Sequence, residues 1–74
     1  MRWVGGTPSD LLKVHYSEIY DLRHEGEIKA SIGRRPLTGL YAVFIHGKYA
    51  EFKTLAQARN YAENIILEDI LCNG

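Results

Sequence analysis

The sequence predicts an α+β domain of order αβββα, a three-stranded antiparallel sheet with two helices packed on one face. Three observations predict it. Leu40–Ile45 and Tyr49–Phe52 are β-favouring runs parted by His46-Gly47, the pattern of a two-residue hairpin. Thr54–Leu67 follows with apolar residues at helical spacing. A second helical period lies behind a proline-containing start near the N-terminus. The 74 residues make one small domain. It divides into an arm over 1–6, a first helix over 7–25, the sheet over 27–53 and a second helix over 54–71.

In the arm, Trp3 and Val4 dock on the core or pair at a sheet edge. The first helix opens with Thr7 as N-cap, Pro8 in the first turn and Asp10 two residues on. Leu11, Leu12, His15, Tyr16, Ile19 and Leu22 share one helical face, and Lys13, Ser17, Glu18 and Asp21 lie opposite. Gly26 reads as the stop, with His24 beside the negative helix end. Glu27–Gly33 alternates Ile28, Ala30 and Ile32 against Lys29 and Ser31, a half-buried strand. Gly33 to Gly39 is a loop around Pro36 with Arg34 and Arg35 at its tip.

A two-residue turn at His46-Gly47 sets the hairpin register. Ile45 faces Lys48, Phe44 faces Tyr49, Val43 faces Ala50 and Tyr41 faces Phe52. One more loop residue would move Glu51 and Lys53 onto the apolar face, so the shorter loop is preferred. Thr54 and Gln57 form a capping box. Leu55, Ala58, Tyr61, Ala62, Ile65 and Ile66 then make the buried stripe. Beyond Leu67 the pattern changes: Asp69 falls on the stripe, while Leu67, Ile70 and Leu71 point elsewhere. Either the helix ends there or its last turn presents a second apolar surface, a candidate homodimer contact.

The sheet face with Ile28, Ile32, Tyr41, Val43, Ala50 and Phe52 should meet the helices. The other face exposes Phe44 and Tyr49 with Leu40 and Ala42 nearby. A half-apolar open face marks a partner site, a homodimer surface, or a place where Trp3 folds back.

Thr54, Ala58, Arg59 and Ala62 match in type and spacing the second helix of the double-stranded-RNA-binding domain. The element order resembles that family too, and the resemblance implies the αβββα architecture. The two phosphate-gripping lysines of the family's helix are Leu55 and Ala56 here, and its long proline- and histidine-bearing β1–β2 region has no counterpart. The resemblance therefore carries the architecture and not the RNA contacts.

Composition narrows the function classes. Apolar residues are 46 % and charged residues 24 %, as in a globular rather than a disordered chain. No apolar run has the length of a membrane span, and the first ten residues lack a signal-peptide apolar region. The single Cys72 excludes an internal disulfide, and a cytoplasmic location is the expectation. His15, His24 and His46 are not at helical i,i+4 spacing and Cys72 has no cysteine partner, so neither metal nor cofactor is expected. There is no phosphate-binding glycine loop and no Gly-x-Ser-x-Gly turn, and an enzyme is not expected.

Net charge is zero but unevenly placed. Residues 1–27 hold three basic against five acidic residues, 28–59 six against one, and 60–74 none against three. Mutual pairing on a solvated surface explains this, as does a binding surface with a basic centre. Two functional readings follow. The first is a small protein-binding regulator or inhibitor of a larger machine. Phe44 and Tyr49 would be its anchors, and Arg34, Arg35 and Lys53 would meet acidic groups. Phage accessory and anti-defence proteins are examples of that size class. The second is a nucleic-acid-binding domain using Lys29, Arg34, Arg35, Lys53 and Arg59.

Overall fold

Two pairs of consecutive left-handed residues shape the sheet: Glu25 (φ 54°) with Gly26 (80°), and His46 (48°) with Gly47 (73°). This is the backbone of a two-residue hairpin turn whose twist matches that of the strands it joins. A computed structural model of the chain describes residues 2–6 and 16–73. Its elements are β1 (Arg2–Gly6), β2 (Glu18–His24), β3 (Glu27–Arg34), β4 (Tyr41–Ile45), β5 (Lys48–Phe52) and α1 (Leu55–Asn73). The strands form one antiparallel meander in the order β1-β2-β3-β4-β5. The single described helix lies across β3, β4 and β5.

The expected αβββα order is therefore corrected: five strands and one helix replace three strands and two helices. With it goes the topological likeness to the double-stranded-RNA-binding domain. The arm is a strand, and the second half of the expected first helix is β2. Residues 7–15, where that helix should begin, lie outside the described residues. The reason for the misreading is local. Ile19 and Leu22 fit a helical period, but Tyr20 fits only a strand, where it shares the inner face with Leu22. Gly26 ends no helix; it is the second residue of a tight turn, and His24 sits in a strand.

The hairpin is paired as the sequence predicts, from Ile45 with Lys48 to Tyr41 with Phe52. The helix start also holds. Thr54 Oγ1 accepts a 3.2 Å bond from the Gln57 N–H. Leu22, Ala30, Ile32, Val43 and Ile45 from the sheet meet Ala58, Ala62 and Ile66 from the helix in the core. The alanines let the helix lie close, and fully burying a side chain such as Ile32 or Ile66 is worth about 1.5–3 kcal/mol.

Polar contacts tie β1 to the helix. Trp3 Nε1 donates to Glu63 Oε1 at 2.7 Å. The Arg59 guanidinium stacks 5.6 Å from the Trp3 ring centre and 5.7 Å from that of Tyr20.

One strand departs from the expected alternation. Leu22 pairs with Ala30 but Arg23 pairs with Ile28, so Lys29 is an extra residue in a bulge. Ile28, expected in the core, shares Arg23's side of the sheet and is 51 % exposed.

Candidate interaction surface

Alternation along the hairpin decides what the helix-free face carries. Val43 and Ile45 are buried against α1, which turns Phe44 outward; on β5 the outward residues are Tyr49 and Glu51. Phe44 and Tyr49 are direct ladder partners with ring centres 5.2 Å apart, and they remain 39 % and 47 % exposed. Tyr16 adds a third ring, edge-on to Phe44 at 6.1 Å. It lies against Gly33, where a Cβ would come within 2.8 Å of Tyr16 Cε1 and 2.9 Å of Cγ. Glycine at this position is what lets the ring rest on the sheet. Ala42, Gly33's ladder partner, is fully buried.

Arg35 braces this cluster. Its Nη2 donates to Tyr49 Oη at 2.6 Å, its Nε to Glu51 Oε2 at 3.1 Å, and its guanidinium lies 5.8 Å from the Tyr49 ring centre. The Tyr49 hydroxyl first, and the Glu51 carboxylate more weakly, hold the guanidinium above its already high ordinary pKa. The cluster is thus held in place by contacts within the chain.

The structure scatters the remaining predicted residues. Arg34 is not in the loop; it ends β3 on the helix side, 3.3 Å from Glu18 Oε2 and stacked over Tyr41 at 5.8 Å. Arg34 and Arg35 therefore point to opposite sides of the sheet. Lys29 bonds Glu27 Oε2 at 2.8 Å, a contact that raises the Lys29 pKa and lowers that of Glu27. Arg59 is held against Trp3 and Tyr20 on the helix side. Lys53 is exposed beyond β5, with no carboxylate partner among the described residues. Leu67, Ile70 and Leu71 are exposed on the last turns of α1. They stand clear because a 19-residue helix spans about 28 Å and a five-residue strand about 17 Å.

A shallow cavity of about 400 Å³ adjoins the aromatic cluster, between Ile28–Ser31 of β3 and Phe44–Tyr49 around the second tight turn. It opens because the β3–β4 ladder stops at Ser31–Phe44, while β3 continues to Glu27 paired with β2 alone. Ile28 and Tyr16 were missed from sequence. The Glu25-Gly26 pair was the available signal for β2, since it repeats the X-Gly pattern of His46-Gly47. Nothing in the local sequence announces the bulge.

Comparisons with protein-family models, curated proteins and solved structures found no match. Among the described residues no three His, Cys, Asp or Glu side chains are grouped to hold a metal ion. No described helix is long and apolar enough to cross a membrane.

Proposed function

We propose that the protein is a small, non-enzymatic, protein-binding regulator or inhibitor of a larger macromolecular machine, acting in the cytoplasm and docking through its helix-free sheet face. The observation that carries this reading is the Phe44–Tyr49 pair. Two large aromatic side chains stand exposed side by side on the sheet, Tyr49 is held by Arg35, and neither belongs to the core cluster. Aromatic residues with few rotatable bonds make the strongest anchors at protein interfaces.

The distribution of cations favours this over nucleic-acid binding. Lys29, Arg34 and Arg35 each hold a carboxylate, and Arg59 is stacked on the helix side. A phosphate chain needs several such groups together on one face.

The test compares wild type with the Phe44→Ser/Tyr49→Ser double variant, both shown to fold by circular dichroism, as baits in a cell lysate. Any captured protein is then purified and titrated against both. The reading expects at least about 30-fold weaker binding to the variant, the loss of about 2 kcal/mol that marks an anchor residue. Partners that bind both forms equally refute it.

A further inference from the structure

We propose that the cavity between β3 and the β4–β5 turn binds an acidic peptide segment. Its apolar side chain seats on Ile28, Phe44 and Tyr49, and its flanking carboxylates are taken by Arg2 and Arg23. This rests on the reading of the open face as a protein-docking surface, and it specifies the chemistry of the partner.

The strand register sets the row. Arg2 is paired with Arg23, and Arg23 is paired across the bulge with Ile28. All three lie on the side opposite Trp3 and Leu22, which pack in or against the core. Directly opposed side chains start about 5 Å apart at Cβ, and like charges there repel. Among the described residues neither arginine has a carboxylate partner. The cavity wall contains no Asp or Glu. Of its own basic residues, Lys29 bonds Glu27 at 2.8 Å, His46 lies within 3.6 Å of Asp69, and Lys48 shares the helix side of the sheet with its ladder partner Ile45. Among the described residues, two cations without counter-ions therefore border an apolar floor. A partner carboxylate would relieve the Arg2–Arg23 repulsion through charge-assisted, bidentate bonds.

Two further features favour an extended segment of protein. Glu27–Ala30 of β3 receive no ladder pairing from β4, so a peptide laid in the cavity meets an open strand edge. A second hollow of about 370 Å³, lined by Arg2 and Arg23, continues around the Glu25-Gly26 turn and leaves room for flanking residues, although Glu25 also lines it. A phosphate chain fits less well. Asp21 and Glu51 interrupt the face, and Lys53 sits at the corner diagonal to Arg2, across a five-stranded sheet about 19 Å wide.

The experiment is an amide chemical-shift titration of the full chain. The probes are the peptides Asp-Asp-Phe-Asp-Asp, Lys-Lys-Phe-Lys-Lys and Asp-Asp-Ser-Asp-Asp, and a single-stranded oligodeoxynucleotide. The acidic aromatic peptide should shift Ile28–Ser31 and Phe44–Tyr49 and bind about tenfold tighter than the other two peptides. Arg2→Gln/Arg23→Gln should weaken it about tenfold, and Arg23→Gln alone should weaken it by a smaller factor. Equal binding of the lysine peptide at Phe44 and Tyr49 overturns the acidic partner but keeps the docking face. Shifts confined to residues outside 28–49 overturn both. Tighter binding of the oligonucleotide at the same residues replaces the peptide with a nucleic acid.

Discussion

Gly33→Ala tests the packing that orders the open face. Gly33 has no left-handed φ, so its backbone accepts alanine without strain. In a strand the change alone should stabilise by about 0.5–1 kcal/mol, because glycine loses more chain entropy on folding. The new methyl, however, would lie 2.8 Å from Tyr16 Cε1 and 2.9 Å from Cγ, against an ordinary contact of 3.4–4 Å. The Tyr16 ring must retreat by roughly 1 Å, which forfeits a quarter to a half of each atom contact it makes with the sheet. It would also disturb the edge-on pair with Phe44, worth about 0.5–1.5 kcal/mol. Overpacking of this kind costs about 1–3 kcal/mol, so the net expectation is a loss of about 1–2 kcal/mol. In a Tyr16→Ala background the ring atoms nearest that methyl are gone, and Gly33→Ala should become stabilising by about 0.5–1 kcal/mol. Urea unfolding of the four proteins in this cycle gives the coupling directly. A loss of the same size in both backgrounds would show that Tyr16 does not rest on Gly33, and the account of the aromatic cluster would fail.

Other contacts yield sharper single tests. Trp3→Ala removes an indole packed on the core, its bond to Glu63 and the stacking of Arg59, and should cost about 3 kcal/mol while accelerating amide exchange in β1; a loss below about 1 kcal/mol would mean β1 is not anchored this way. Burial first, and the Glu18 carboxylate second, raise the Tyr20 pKa above its ordinary 10.0. Its neutral phenol thus supplies stability that is complete below pH about 10 and lost as the pH rises through the folded value. Tyr20→Phe should flatten that alkaline decline and cost about 1 kcal/mol at neutral pH through the lost Glu18 bond; an unchanged alkaline slope would contradict the assignment. The homodimer reading of Leu67, Ile70 and Leu71 predicts self-association at high micromolar concentration in sedimentation, abolished by Leu71→Asp because Leu71 is 82 % exposed; a monomeric wild type removes that reading.

The part of the fold written most locally was the most legible. The hairpin register follows from one X-Gly pair and the refusal to bury Glu51, and the structure repeats it pair by pair. The helix start and its stripe follow from Thr54 and the spacing of the alanines. β2 was hidden because the three-residue spacing of Ile19 and Leu22 fits a helix, whereas in the sheet the two lie on opposite faces and pairing rather than local preference decides. For the site, alternation was enough to expose Phe44 and Tyr49. Arg34 and Arg35 were misread as one charged tip because β3 runs one residue further than expected, and neighbours at a strand end point to opposite sides. Tyr16 and Ile28 depend on a close approach over glycine and on a bulge, and both are properties of the assembled sheet.

The central claim is that the open face, through Phe44 and Tyr49, docks another protein. The most direct measurement is selection of a displayed random-peptide library on wild-type protein, with the folded Phe44→Ser/Tyr49→Ser variant as the counter-target. The account predicts an enriched family carrying an apolar residue between acidic ones, retained by wild type and lost from the variant. No enrichment, or peptides that hold both proteins equally, would contradict it.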